Sequence, residues 1–346
     1  MLVLAIETSC DDTSAAVVNN GVEVLSSVIA SQTEFHKKYG GIVPEIASRR
    51  HIEVINPVIK EALERADKDF GDLDAVAVTC GPGLVGSLLV GVCAAKAVSY
   101  SLDIPLIGVN HLEGHMYANF INSHSLSKRG GNPNEEREGV SFPFICLIVS
   151  GGHTMIVEAK GYGKYRTLGQ TRDDAAGEAF DKVARFLKLG FPGGPVIDRL
   201  AKEGDPKAID FKRPMLEEEY GYDFSFSGIK TAVVNYVMRN AQRGMRTQDI
   251  VASFQRAVVD VLVEKTVKAA VENGIGNICL AGGVSANSLL RSELMLRGAE
   301  AGLRVTIPPF EYTTDNAAMI ACAGFHRLKA DGPSQLSIKP VAGLKL

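Results

Sequence analysis

The sequence predicts an α/β fold of two like lobes, and three observations carry that reading. The pattern of strand, small-residue turn and strand in IETSCDDTSAAVV returns in the second half of the chain as IVSGGHTMIVEA. Each copy is followed by a third strand and then by alternating helices and strands, so a βββαβα unit is duplicated. At 346 residues, 46% apolar and 22% charged, the chain is long enough for two cores and has the balance of an ordinary globular protein.

The elements follow in order. Residues 2–7 form a strand, the polar turn 8–13 follows, and 14–19 return as a second strand with 22–27 as a third. HKKYGGIVPEIASRRH is a glycine turn leading into a helix, whose apolar positions Ile52, Ile55, Ile59 and Leu63 recur at helical spacing. Residues 75–78 are a short buried strand, and CGPGLVGS leads from it into a helix reaching about residue 100. The strand 105–109 delivers the chain to VNHLEGHMY. The segment 123–139, SHSLSKRGGNPNEEREG, is polar, charged and glycine-rich and reads as a linker or surface insertion. Strands at 144–149, 154–159 and 165–168 restart the pattern. A helix over 176–187 ends in GFPGGP; helices over 228–239 and 247–273 precede the strand 277–281, the GGVSAN turn and a helix over 288–301. A last strand, 304–307, passes through PPFEYTTDN into a helix over 317–329. The domain limits expected are 1–122 with 317–346 as the amino-terminal lobe, 123–139 as the linker, and 140–316 as the carboxy-terminal lobe. Two such lobes would face each other across a cleft, and open α/β sheets bind ligands at their strand ends.

Composition removes several classes. A net charge of −3 argues against gripping nucleic acid by bulk electrostatics, so such a substrate needs a local basic patch or a partner. The six cysteines include no CxxC pair and lie mostly in apolar runs, which reads as reduced thiols in a cytoplasmic protein. The amino-terminal stretch lacks the basic region of a signal peptide, and the apolar run 84–95 is glycine-broken and short for a membrane span.

Within VNHLEGHMY, His111 and His115 stand four residues apart, so a helix puts both imidazoles on one face, as a metal ion needs. Two unrelated surface histidines would show the same spacing. Glu113 lies two residues from each and points to the other side, unlike the glutamate of HExxH. Asp315, after Thr313 and Thr314, is the best third ligand, although an N-cap explains a carboxylate there equally well. Four small-residue turns, 8–13, 81–83, 150–152 and 282–285, can aim backbone N–H groups at an anion. None is a P-loop or a GxGxxG fingerprint.

Eight segments then stand in order: IETSCDDTS, GGIVPEIASRRH, NHLEGH, LIVSGGH, GEAFDKVAR, SFSGIKTA, AGGVSAN and TDNAAMIA. Over nearly its whole length the chain resembles the TsaD family of tRNA N6-adenosine threonylcarbamoyltransferases, once described as glycoproteases. The resemblance implies the two-lobed fold shared with actin, the Hsp70 ATPase domain and sugar kinases. It implies one divalent metal, iron(II) before zinc(II), on His111, His115 and Asp315. It also implies an adenylate pocket of Ile148, Val149, Ser150, Gly151, Gly152, Asp181, Gly194, Asp198 and Asn287. The implied reaction moves the threonylcarbamoyl group from threonylcarbamoyl-AMP to N6 of adenosine 37 in tRNAs reading codons that begin with A, releasing AMP. The implied partners are tRNA, a smaller paralogue, TsaB, and an ATPase, TsaE, in the cytoplasm and without a membrane. The segment 123–139 is longer than the family pattern, which bears on the local surface rather than the site.

Three other readings compete. A metallopeptidase suffers from the position of Glu113, an ATP-dependent kinase of the same fold gives the histidine pair no role, and a scaffold leaves His111, His115 and Asp315 unexplained.

Overall fold

The computed structural model describes residues 1–121, 140–240, 244 and 246–346; the expected linker 123–139 lies outside the described residues. The chain forms two compact units, Met1–Val140 with Pro308–Leu346, and Ser141–Ile307.

In the first unit, β1 (Leu2–Glu7), β2 (Thr13–Asn19) and β3 (Glu23–Ala30) form an antiparallel meander. β4 (Ala75–Gly81) and β5 (Leu106–Asn110) extend it in parallel, in the order β3-β2-β1-β4-β5. A short helix, α1 (Thr33–Lys37), unforeseen in the sequence, precedes α2 (Pro44–Arg65). The two-residue period of a strand sorts β1 into two faces. Leu2, Leu4 and Ile6 pack with Ile55, Ile59 and Leu63 of α2 and with Val92 and Ala95 of α3 (Val85–Leu102). The other face of the sheet is covered by α10 (Ala317–Asp331), the last helix of the chain.

α3 reaches Leu102, close to the expected end near residue 100 and beyond the apolar run 84–95. Its 18 residues, at a mean hydropathy of 1.5, are long and apolar enough to cross a membrane by length and composition alone. It packs one face on β4 and α2, and leaves Val85, Leu89, Cys93 and Tyr100 exposed along the other.

The second unit repeats the sheet with new helices. β6 (Phe144–Val149), β7 (Thr154–Gly161) and β8 (Lys164–Gln170) form the meander, with β9 (Asn277–Ala281) and β10 (Arg304–Thr306) in parallel, in the order β10-β9-β6-β7-β8. Strand for strand this is the topology of the first unit, so the duplication read from sequence is present. Helices α5 (Ala176–Phe186), α6 (Gly193–Ala201), α7 (Ser227–Arg239), α8 (Thr247–Glu272) and α9 (Ser288–Glu300) belong to it. α6 was hidden in the sequence by GFPGGP, whose final proline lies in the first turn, where a missing N–H costs nothing. Ile145, Leu147 and Val149 of β6 pack on Phe180, Val183, Phe254 and Val258.

Candidate metal and nucleotide sites

The histidine helix, α4 (His111–Tyr117), starts where Asn110 leaves β5. The Asn110 side-chain oxygen accepts the Leu112 N–H at 2.9 Å, a good N-cap. Gly114 lowers helix propensity, but its place has a packing reason. A Cβ there would stand 2.6 Å from the Ile320 side chain of α10, so glycine lets α4 and α10 approach closely. That approach carries both histidines to the residue just before the N-cap of α10.

That residue is Asp315, and it does not cap the helix. Asn316 does, its Oδ1 accepting the Met319 N–H at 3.0 Å, and the capping alternative for Asp315 is thereby removed. Asp315 Oδ1 stands 3.2 Å from His115 Nε2 and 3.5 Å from His111 Nε2. One ligand atom from each of His111, His115 and Asp315 lies within 4.8 Å of the other two, and the imidazole planes cross at 78°.

Two observations of the first unit test whether a cation fits there. Both ring nitrogens of buried His115 lack a hydrogen bond among the described residues; Nε2 is near Asp315 but not aligned with it. A buried polar atom without a partner is costly, and coordination would remove that cost. The second is charge. Burial, then Asp11 and Asp315, pushes Asp12 up to about 6, and burial also raises Asp11 with Asp315 adding to it. Asp315 and Glu7, the carboxylates that stand against the two imidazoles, suit a divalent ion with nitrogen and oxygen ligands. Burial opposes the charged form of His111, but Asp315 and then Glu7 outweigh it, so the ring is pushed up to about 9. Burial lowers His115.

Glu113 is absent from this ligand group; it is buried, and its charge reaches Cys80 on β4. Glu7, by contrast, was missed from sequence. It is fully buried, and its Oε2 lies 3.0 Å from His111 Nδ1 and 2.6 Å from Thr79 Oγ1. The signal was available: one acid closes an otherwise apolar strand, LVLAIE.

The four turns separate into two kinds. At 81–83 the N–H groups of Gly83 and Leu84 donate to Ala342 and Ser9 carbonyls, and a Cβ on Gly83 would stand 2.4 Å from the Ser9 oxygen. That turn is chain packing, a correction to its reading as an anion cradle. The 8–13 turn is occupied by side chains of β1 and α2, with Ser9 N–H donating to Glu7 and the Cys10 carbonyl 3.0 Å from His51 Nε2.

The turns of the second unit have open space beside them, while inside the 150–152 turn the Gly152 and His153 N–H groups donate to Ser150 Oγ at 3.3 and 3.1 Å and the Ser150 N–H donates to the His153 carbonyl at 2.8 Å. A Cβ on Gly151, Gly152, Gly194 or Gly283 would meet nothing within 4 Å. A chain of hydrogen bonds joins the elements that carry these residues. Gly177 of α5 donates to the Ser150 carbonyl at 3.2 Å, and Asp181 of α5 accepts the Gly193 N–H at the start of α6 at 2.7 Å. Asp198 of α6 accepts the Ser288 hydroxyl at 2.9 Å at the start of α9, where Asn287 is the N-cap. Asn287 also donates to Gln255 at 3.0 Å, a buried partner the sequence did not flag. Burial raises Asp181, opposed by the Gly193 N–H. Ile148 and Val149 are buried in β6, where Ile148 pairs with both β7 and β9 and Val149 with β7.

A model of tRNA N6-adenosine threonylcarbamoyltransferases, TsaD, matches residues 23–322. A protein of that name from Clostridioides difficile (strain 630) is 51% identical over 350 residues, covering 100% of this chain and 98% of the relative. One from Symbiobacterium thermophilum is 53% identical over 346 residues, covering 100% and 97%. Among solved structures, full-length HypF in its phosphate- and nucleotide-bound form aligns with a TM-score of 0.62 at 15% identity, over 96% of this chain and 47% of that one. The activator of the 2-hydroxyisocaproyl-CoA dehydratase from Clostridium difficile with bound ADPNP aligns with a TM-score of 0.52 at 13% identity, over 95% and 96%. These distant likenesses speak to the fold alone.

Proposed function

The chain belongs to the TsaD family, and from that premise we propose that it transfers the threonylcarbamoyl group from threonylcarbamoyl-AMP to N6 of the adenosine beside the anticodon of tRNA, releasing AMP. The observation that carries the chemistry is the convergence of His111 and His115 with Asp315, which comes from a distant part of the sequence.

The donor is a mixed anhydride, already activated, so the protein's work is to hold it, orient it and stabilise developing negative charge. The open turn Ser150–Gly152, with Gly194 and Gly283, lets backbone approach a phosphate with no Cβ in the way. Asp181, Asp198 and Asn287 are held by Gly193, Ser288 and Gln255, which presets them for polar contacts to a nucleoside. His111, His115 and Asp315 would hold one divalent ion, iron(II) first and zinc(II) second. When bound, it supplies Lewis-acid polarisation of a phosphate or carbonyl oxygen. No nucleophilic side chain is needed. Glu113 is not among the atoms gathered at the site and its charge reaches Cys80, which gives the metallopeptidase reading no support.

The chain's mild acidity calls for help with tRNA. We place it in the cytoplasm with a smaller paralogue, TsaB, and an ATPase, TsaE, that resets the complex. The exposed apolar stripe Val85, Leu89 and Tyr100 on α3, a helix packed on α2, supports a paired surface on the first unit. The test is incubation of the full chain with threonylcarbamoyl-AMP and tRNA, with and without those partners, reading the modified nucleoside by mass spectrometry. Modification that needs the partners for repeated turnover is expected; none under any condition defeats the reading.

A further inference from the structure

We propose that Glu7 is the positioning residue of this site, its carboxylate holding the Nδ1–H of His111 so that Nε2 is the nitrogen offered to the ion. The inference deepens the metal reading above and rests on it.

Glu7 ends β1 on the face of the sheet that α10 covers, and its side chain is fully buried. A carboxylate placed there needs partners to offset its lost hydration. It has three: the Ser9 N–H, the Thr79 hydroxyl at 2.6 Å and the His111 ring at 3.0 Å. An ionised carboxylate only accepts, so in the contact with Glu7 the Nδ1 of His111 is the donor. In the neutral ring the proton then sits on Nδ1 and the lone pair on Nε2, which is the atom turned toward Asp315 at 3.5 Å. Ser9 Oγ, 3.1 Å from the same Nδ1, adds a second contact on that side. His115 has no such holder, since neither of its ring nitrogens makes a hydrogen bond to a described residue. The two histidines therefore differ: one is fixed in tautomer and orientation, the other is left to the ion. Carboxylates behind ligating histidines typically change metal affinity by about 10–100-fold.

A purely structural Glu7 would change stability and leave the affinity of the folded chain alone. The test strips the full-length chain with a chelator and titrates zinc(II) against a competing indicator, for the wild type, Glu7→Gln and Thr79→Val. Long-range proton–nitrogen spectra of the zinc-loaded wild type then report which nitrogen of His111 is coordinated. Expected are a loss of about 10–100-fold in Glu7→Gln, a smaller loss in Thr79→Val, and Nε2 coordination with Nδ1 protonated. Equal zinc affinity in wild type and Glu7→Gln, or coordination through Nδ1, overturns the role of Glu7 while leaving the metal reading. A wild type that binds no zinc overturns both. Should Glu7→Gln not fold, Thr79→Val and the wild-type spectrum still decide.

Discussion

The two units share one sheet topology and use its first turn in opposite ways. After β1, the turn is filled: Glu7, Thr8 and Ser9 are buried, and their polar atoms hold the histidine helix and β4. After β6, the equivalent turn is bare: Gly151 and Gly152 are exposed and have space where side chains would stand. Filling a turn with acceptors gathers cations, and emptying it lets backbone N–H groups meet an anion. One duplicated scaffold thus carries a filled turn in one unit and an open one in the other.

The largest expected effect attacks the filled side. His115→Leu removes a ligand and also removes two buried nitrogens that lack partners. Transfer should fall by more than about a thousandfold, roughly 4 kcal/mol of barrier. Bound metal should fall with it, whereas the melting temperature of the metal-free protein should hold or rise, because no satisfied hydrogen bond is lost. A metal-free variant that melts far below the wild type would mean the ring is a packing element.

The next attacks the open side. Gly152→Val and Gly283→Val place their Cβ where it meets nothing within 4 Å, so stability should change by no more than about 0.5 kcal/mol. Adenylate affinity should fall by about a hundredfold, with metal content unchanged. Gly282→Val is the control. Its φ of +88° and a Val149 oxygen 2.5 Å from the new Cβ should cost the fold itself. Unchanged affinity in the first two variants would make these turns ordinary hairpins.

Much of this was legible in the sequence, for physical reasons. The duplication showed because strand, small turn and strand is a local pattern that needs no tertiary context, and the spacing of His111 and His115 is a property of any helix. The order of the motifs placed Asp315 with the histidines although the chain between them is long. What was hidden depended on contacts made at a distance. Glu7 reads as one polar residue closing a strand until His111 and Thr79 are seen beside it. Gly114 reads as a helix breaker until Ile320 occupies its missing side chain. Asp315 and Asn316 are both capping residues by type, and only the fold shows which one caps. The 81–83 turn looks like an anion cradle until the chain end comes back to accept its N–H groups.

A smaller effect separates Glu113 from Glu7, two buried acids on the same unit. Glu113→Gln keeps the size of the side chain and leaves the ligand group of His111, His115 and Asp315 intact, so at least a tenth of the activity should survive, a loss below about 1.4 kcal/mol. Kinetics on metal-loaded protein check it. A collapse by several powers of ten with metal retained would put a base at Glu113 and reopen the peptidase reading.

The smallest effect lies in the second unit, where Asp174 does for helices what Glu7 does for the histidine. It bridges Lys182 of α5 at 2.8 Å and Lys230 of α7 at 2.7 Å. Burial alone would raise this carboxyl, but the two ammonium groups outweigh it and hold it at about 2, below its ordinary 3.8. The unfolded chain therefore takes up the proton first as pH falls, so the native pairing stabilises fully above about pH 4 and is lost as pH drops toward 2. Lys230→Met removes one of the two cations and should flatten the slope of stability against pH in that window only, leaving the curve above pH 5 parallel to that of the wild type. Half-exposed ion pairs are screened, so the change should also shrink in high salt. Denaturant titrations at stepped pH measure it. An unchanged slope between about pH 4 and pH 2 would mean that Lys182 alone holds Asp174, and that α7 owes its place to the packing of Ile229 and Val233 in the core instead.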